Sequence, residues 1–266
     1  MQTLTQDEIR QTVRENYGQI AISNGTESCC GSSCCGDDSA TKEQTKASTL
    51  GYSSANTLLI PEAADMSLGC GNPQAIAALK PGETVLDLGS GGGFDCFLAA
   101  QQVGETGQVI GVDMTPEMIN TARNNAAKSN INHVEFRLGE IEQLPVAEQS
   151  VDVIISNCVI NLSPDKPRVF QEAYRTLKPG GRLAISDIVA TAPLPDNVRQ
   201  DWGLYTGCMA GAAQVEELEK MLTDSGFVKV QIAPKNESKS FIQEWLPEGK
   251  LEDYLVSATI EAVRPM

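Results

Sequence analysis

From residue 84 onward, short apolar runs alternate with longer stretches whose apolar positions recur at helical spacing. TVLDLGS is nearly continuous in apolar residues, the mark of a strand buried on both faces. FDCFLAAQQVG then reads as a helix stopped by glycine, and QVIGVDM as a second strand. TPEMINTARNNAAKSN predicts a helix with Thr115 as cap, Pro116 in its first position and Glu117 adding negative charge to its first turn. HVEFRLG and VDVIISN follow as strands three and four. KPRVFQEAYRTLKPGG reads as a helix with a glycine stop, and RLAISDIV as strand five. Repeated strand–helix–strand units with short connections predict an α/β, Rossmann-like, doubly wound and mostly parallel sheet. Right-handed crossovers put the loops after each strand on one edge, where a ligand binds.

The flanks differ. Residues 6–17 have helical spacing, as do residues 54–65. Between them, residues 24–49 are nearly free of large apolar side chains and read as a mobile loop carrying Cys29, Cys30, Cys34 and Cys35. LGCGNPQAIAAL predicts a turn and a short helix with Asn72 as cap and Pro73 first. After Val189 comes a Pro- and Gly-punctuated insertion, then the amphipathic helix QVEELEKMLTDSGF. VKVQIAPK and DYLVSATIEAV are expected to complete a seven-stranded sheet in antiparallel fashion. Three stretches result: a Cys-rich helical extension over 1–70, a core over 71–190, and a C-terminal insertion with closing strands over 191–266.

Charge narrows the function. The formal net charge is -15, and phosphate backbones repel such a surface, so a nucleic-acid partner is disfavoured. No run of about 18 apolar residues occurs, so no membrane span is expected. MQTLTQDEIRQTVREN lacks the basic start and apolar run of a secretory signal. A cytoplasmic monomer is the expectation, with its eight cysteines mostly reduced and used for packing, metal binding or catalysis.

The strongest local signal is Val85-Leu-Asp-Leu-Gly-Ser-Gly-Gly-Gly-Phe94, a buried strand running through a glycine-rich turn into a helix. Glycines let the backbone bend and approach a ligand, and the helix start offers free N–H groups. The turn, with Asp87, Gly89, Ser90, Gly91 and Gly93, resembles motif I of the class I methyltransferases more than the dinucleotide fingerprint. That resemblance implies S-adenosylmethionine, the turn cradling its methionine half and the acid helping to hold its amino group. Asp113, at the tip of strand two, can accept from both ribose hydroxyls, with Met114 packing on adenine. The resemblance implies adenine contact at Glu140 and Ile141. Asn157 and Cys158, ending strand four, face the sulfonium side. A dehydrogenase-type fold is the competing reading, and it lacks a candidate for the nicotinamide side.

The methyl acceptor is approached by elimination. His133 is the one histidine, and it precedes strand three, away from the expected transfer face. Asn-Cys-Val-Ile after strand four is not a binding sequence for a planar amino group. Thiols are what the chain offers. Cys158 ends strand four; Cys70 and Cys208 sit in Gly-containing segments that read as exposed turns; Cys96 lies inside a helix and reads as core. Soft thiolates favour thiophilic centres. Three of them around trivalent arsenic leave its lone pair free to act as the nucleophile, so no base is needed.

The sequence closely resembles the arsenite S-adenosylmethionine methyltransferases. The shared segments are SLGCGNP at 67–73, DLGSGGGFD at 87–95, GVDMT at 111–115, SNCVINL at 156–162 and GCM at 207–209. The resemblance implies that Cys158 and Cys208 hold As(III), with Cys70 completing the site or entering disulfide chemistry. It also implies a functional cysteine in the N-terminal loop, with Cys35 or Cys34 the best match. Thioredoxin or glutathione would be the reductant. Competing readings are a methyltransferase of a small organic acceptor, a non-enzymatic arsenite- or soft-metal-binding protein and, for CCGSSCCG, a zinc or copper clip.

Overall fold

The computed structural model describes residues 5–23, 52, 60–66, 68–129, 131–245 and 250–266. Cys29, Cys30, Cys34 and Cys35 lie outside the described residues, as does the first half of the helix expected over 54–65.

Seven strands form one sheet: β1 (Thr84–Leu88), β2 (Gln108–Asp113), β3 (Val134–Leu138), β4 (Val151–Asn157), β5 (Leu177–Ala190), β6 (Val228–Lys235) and β7 (Leu255–Val263). Their order is β3-β2-β1-β4-β5-β7-β6. The first five pair in parallel. β7 pairs antiparallel with both β5 and β6, so it alone runs against the sheet. The order reverses between β1 and β4, and the crevice beyond their carboxyl ends is where such sheets take ligands.

Among the described residues the helices are α1 (Gln6–Ile22), α2 (Gln74–Ala77), α3 (Phe94–Val103), α4 (Pro116–Ser129), α5 (Lys166–Thr176), α6 (Asp196–Arg199), α7 (Trp202–Thr206), α8 (Val215–Asp224) and α9 (Lys239–Trp245). One face of the sheet buries Leu86, Ile154, Phe170, Leu222 and Ile260 together. The other buries Val85, Phe97, Val109, Ile119 and Ile155. The near-continuous apolar strands follow from this double coverage.

Two boundaries differ from the sequence reading. α5 ends at Thr176, before its expected glycine stop, and Leu177 already belongs to β5. Pro179 keeps the preceding residue out of the helical region, and the chain end recruits the segment. Arg264 donates from Nη1 to the Leu177 carbonyl at 2.7 Å, and its own carbonyl accepts from the Gly180 amide at 3.0 Å. At α2 the regular helix begins after Pro73, one residue late, yet Asn72 Oδ1 still accepts from the Ala75 amide at 3.2 Å.

α1 starts with a Thr5–Glu8 capping box and lies over the ligand edge. Arg10 pairs with Glu142 at 3.2 Å, and Arg14 pairs with Glu140 at 3.0 Å. These ties attach α1 to the loop after β3.

Candidate active site

A cavity of about 1180 Å³, counted out to its open mouth, lies beyond the carboxyl ends of β1, β2 and β4. Its floor is the turn Gly89–Gly92, and α1 contributes Arg10, Val13 and Tyr17 to its wall. Gly89 has φ +70°, and a Cβ there would run into the Val159 side chain. Only glycine fits that conformation and that approach without strain.

Five carboxylates line the cavity, Asp65, Asp87, Asp95, Asp113 and Glu142, and three of them, Asp87, Asp95 and Asp113, stand around the glycine-rich turn. Asp113 takes the Gly91 amide on one oxygen (2.9 Å) and the Thr115 amide on the other (2.8 Å). Asp87 accepts from the Cys96 thiol at 3.2 Å. Asp95 accepts from Tyr52 Oη at 2.9 Å and from Asn157 Nδ2 at 3.2 Å. Burial pushes all three carboxyls above their ordinary range. For Asp87 the nearby charge of Asp95 adds to that push, and the Cys96 hydrogen bond opposes it. For Asp95, Asn157, Tyr52 and Gln74 oppose it; for Asp113 the amides of Thr115 and Gly91 do. Arg10 is the one cationic side chain on the wall among the described residues, and it is already paired with Glu142. Asp87 and Asp95 are buried and Asp113 half-buried, and three such acids with no cation paired to them among the described residues call for a cationic ligand. The Ser90 hydroxyl, buried in the same wall, has no protein partner among the described residues. An ammonium-bearing sulfonium with ribose hydroxyls meets both demands, so the residues fit S-adenosylmethionine.

Beside this cavity the three candidate cysteines come together. Cys70 and Cys158, 88 residues apart, are joined by a disulfide with Cα atoms 5.8 Å apart. Cys208 directs its thiol at the Cys158 carbonyl, 2.6 Å away. The Tyr17 hydroxyl of α1 donates to the Thr206 carbonyl at 3.0 Å and lies 3.9 Å from the Cys208 sulfur. Cys158 has φ +56° and Cys208 φ +63°. Each such backbone costs of order 1 kcal/mol or more, and it persists only where its surroundings over-determine it.

Asn157 joins the two regions. Its Oδ1 accepts from the Cys70 amide at 3.1 Å, while its Nδ2 donates to the Gly71 carbonyl at 2.9 Å and to Asp95. Behind the cysteines, Asp187 on β5 accepts from the amides of Ile160 and Ile188 and from Asn161 Nδ2. Burial pushes its carboxyl up to about 7, against the pull of those amides and of Lys166. A carboxylate oxygen of Asp187 and the sulfurs of Cys70 and Cys158 all lie within 4.8 Å of one another.

Gly89, Ser90, Gly91, Asp87, Asp113, Met114, Ile141, Asn157 and Cys158 all line the cavity. Other expectations need correcting. Cys70 and Cys208 read as exposed turns but are 2% and 4% exposed, because Leu162, Ile188, Leu204 and Leu255 pack around them. The cysteines were expected to be mostly reduced, with disulfide chemistry open to Cys70, and it is Cys70 and Cys158 that form a bridge. Glu140 points away from the cavity into its pair with Arg14, and Gly139 and Glu142 line the wall instead. Gly93 caps α3, and its own close neighbours are Phe97 and Phe136. Cys96 is core as expected, but it also holds Asp87. Tyr52, Asp95, Glu142, Asn161 and Asp187 were missed; Asp95, in the first turn of the helix after the glycine turn, carried a usable signal. His133 sits at the opposite sheet edge, 3.1 Å from the Ala100 carbonyl.

Comparison with known proteins agrees with this geometry. A family described as a methyltransferase domain matches residues 79–226. An arsenite methyltransferase of Halobacterium salinarum is 56% identical over 97% of this chain and 67% of its own length. The human arsenite methyltransferase is 37% identical over 57% of this chain, which spans 43% of that relative. CrArsM, an arsenic(III) S-adenosylmethionine methyltransferase from Chlamydomonas reinhardtii, superposes with a TM-score of 0.60 at 32% identity. That superposition covers 84% of this chain and 74% of the algal one. A glycine-rich turn among several acids, three converging cysteines and these matches place the chain in one group: it belongs to the arsenite methyltransferase family, S-adenosylmethionine-dependent enzymes of Rossmann-like fold.

Proposed function

We propose that the chain methylates trivalent arsenic held by the thiolates of Cys158 and Cys208, with Cys70 completing the set, and so detoxifies arsenic. The observation that carries this reading is the meeting of three cysteines from distant segments beside a cavity built for a sulfonium. S-adenosylmethionine, when bound, supplies an electrophilic methyl carbon. Asp87 and Asp95 would hold its amino group, Ser90 and Asp113 its polar oxygens, and Met114 and Ile141 its base.

Arsenic tied to three sulfurs keeps a lone pair directed away from them. That pair forms the As–C bond as the C–S bond of the sulfonium breaks and sulfur keeps the electrons. Arsenic becomes formally pentavalent. The thiolates of Cys70 and Cys158 then give up two electrons, joining as a disulfide and returning arsenic to the trivalent state. Cys70 and Cys158 stand close enough for that pairing, which supports the step. An external thiol reductant of the thioredoxin or glutathione class reopens the bridge, with Cys35 of the N-terminal segment as relay. A cytoplasmic monomer suits this cycle, since the bridge must be reduced at each turn; no described helix is long and apolar enough to cross a membrane.

The test is incubation of the chain with S-adenosylmethionine, arsenite and a thiol, followed by arsenic speciation. Methylated arsenicals are expected. If S-adenosylmethionine binds but arsenite stays unmethylated, the arsenic reading is overturned.

A further inference from the structure

Two turns carry the cysteines assigned above to arsenic, and both have left-handed backbone at the cysteine itself. What holds them is a small buried polar cluster behind the site. Asn161 and Asp187 are 2% and 1% exposed. Asp187 accepts from the Ile160 amide at 2.9 Å on one oxygen, and from the Ile188 amide (2.8 Å) and Asn161 Nδ2 (2.9 Å) on the other. Asn161 Nδ2 also faces the carbonyls of Ile188 (2.7 Å) and Cys208 (3.1 Å), so its two hydrogens are shared among three acceptors.

The connection is direct at both ends. Ile160 and Asn161 form the turn that leaves Cys158, and the Cys208 carbonyl is itself an acceptor. The same two loops touch a second time, because a Cβ at Gly211 would run into the Asn161 carbonyl. The glycine there brings the Cys208 loop onto the Cys158 turn.

An isolated buried carboxylate is a costly way to satisfy amides. The cluster does more than that: it converts the separation of two loops into a set of short, directional bonds. We infer that Asn161 and Asp187 are positioning residues that set the spacing between the Cys158 and Cys208 sulfurs for one trivalent arsenic. This rests on the arsenic reading above. Neither residue touches the metalloid in this role. Asp187 anchors the turn after β4, and Asn161 carries that anchor across to Cys208. Sulfur ligands must be held within a fraction of an ångström to bind one centre together, and partners behind the ligands supply that precision.

The experiment uses the full chain, reduced and loaded with arsenite. The wild type and Asn161→Ala are compared by arsenic K-edge absorption, by KM and kcat for arsenite, and by S-adenosylmethionine affinity. In the variant, the Cys208 sulfur should leave the arsenic shell and KM should rise about tenfold or more. kcat at saturating arsenite should fall far less, and cofactor affinity, set in the other half of the site, should hold. A three-sulfur arsenic shell and wild-type KM in Asn161→Ala would overturn the inference. If Asn161→Ala fails to bind the cofactor, Asn161→Ser takes its place, keeping one donor on a shorter arm, and the same readings decide. A wild type that neither coordinates nor methylates arsenic would instead defeat the arsenic reading itself.

Discussion

The two halves of the active site are built on opposite principles. Around the glycine-rich turn, three carboxylates face the cavity with no cation paired to them, and the Ser90 hydroxyl has no partner, among the described residues. That half is electrostatically incomplete and is finished by what binds. Around the cysteines, the Asp187 carboxylate is bound by amides on both oxygens, and the backbone is held in left-handed turns. That half is pre-arranged, and its reactive groups differ only in redox state. A cationic cofactor suits the first, and a soft centre needing several ligands at fixed spacing suits the second. Asn157 joins them, so the halves are adjacent without sharing their chemistry.

The sharpest way to break this comparison is to remove sulfur. Cys158→Ser and Cys208→Ser should each lower arsenite methylation by at least about 100-fold, since a hydroxyl is a poor ligand for a thiophilic centre. S-adenosylmethionine affinity, measured by calorimetry, should stay at the wild-type value. Full activity in either variant would reject the three-thiolate site, and a parallel loss of cofactor binding would show the halves to be one unit.

The reciprocal test removes charge. Asp87→Asn should weaken S-adenosylmethionine binding by roughly 10- to 100-fold, the loss expected for a charge-assisted contact in a buried site. Arsenite binding to the reduced protein, followed by thiolate–arsenic absorption in the ultraviolet, should not change. Unaltered cofactor affinity would mean that Asp95 alone carries the positive group.

The halves also differ in how far the sequence reveals them. The cofactor turn is local: strand, glycines and helix occupy one short stretch, and the acid at the end of β2 follows on the next strand. Such patterns survive in one dimension. The burial of Cys70 and Cys208 does not, because the leucines that cover them come from the turn after β4, from α7 and from β7. A Gly-Cys-Gly turn looks exposed until those segments fold over it. Cys96 was legible as core but not as the donor to Asp87, since that contact depends on how α3 docks beneath β1. Glu140 was drawn away by Arg14, a partner 126 residues earlier. Arg10 and Arg14, on one face of α1, were the clue to that pairing.

A steric test probes the seam between the halves. A Cβ on Gly71 would overlap the Ser186 hydroxyl, which is buried and has no partner among the described residues. Gly71→Ala should therefore destabilise the fold by about 1–3 kcal/mol through overpacking and displace Cys70. Ser186→Ala should relieve part of this, giving a non-additive double mutant in thermal denaturation. Strict additivity would place the strain elsewhere.

The smallest expected effect lies outside the thiol half. Glu172 accepts from Arg175 at 2.9 and 2.7 Å and from the Leu144 amide at 2.9 Å, fixing the loop after β3 on the cofactor side. Burial raises its carboxyl, but the Arg175 and Leu144 hydrogen bonds outweigh that and hold it below the ordinary value of 4.5. A depressed carboxyl contributes stability that is present above its unfolded value and is lost as pH falls through the folded one. Glu172→Gln should thus lower stability at neutral pH by about 1 kcal/mol. The gap from wild type should close as the pH drops below 4.5. Cofactor affinity should weaken slightly with the loosened loop, while arsenite binding should stay as it is. A gap that is constant with pH would assign the effect to packing, and an equal loss of arsenite binding would tie the cysteine turns to the β3 loop more tightly than the present contacts do.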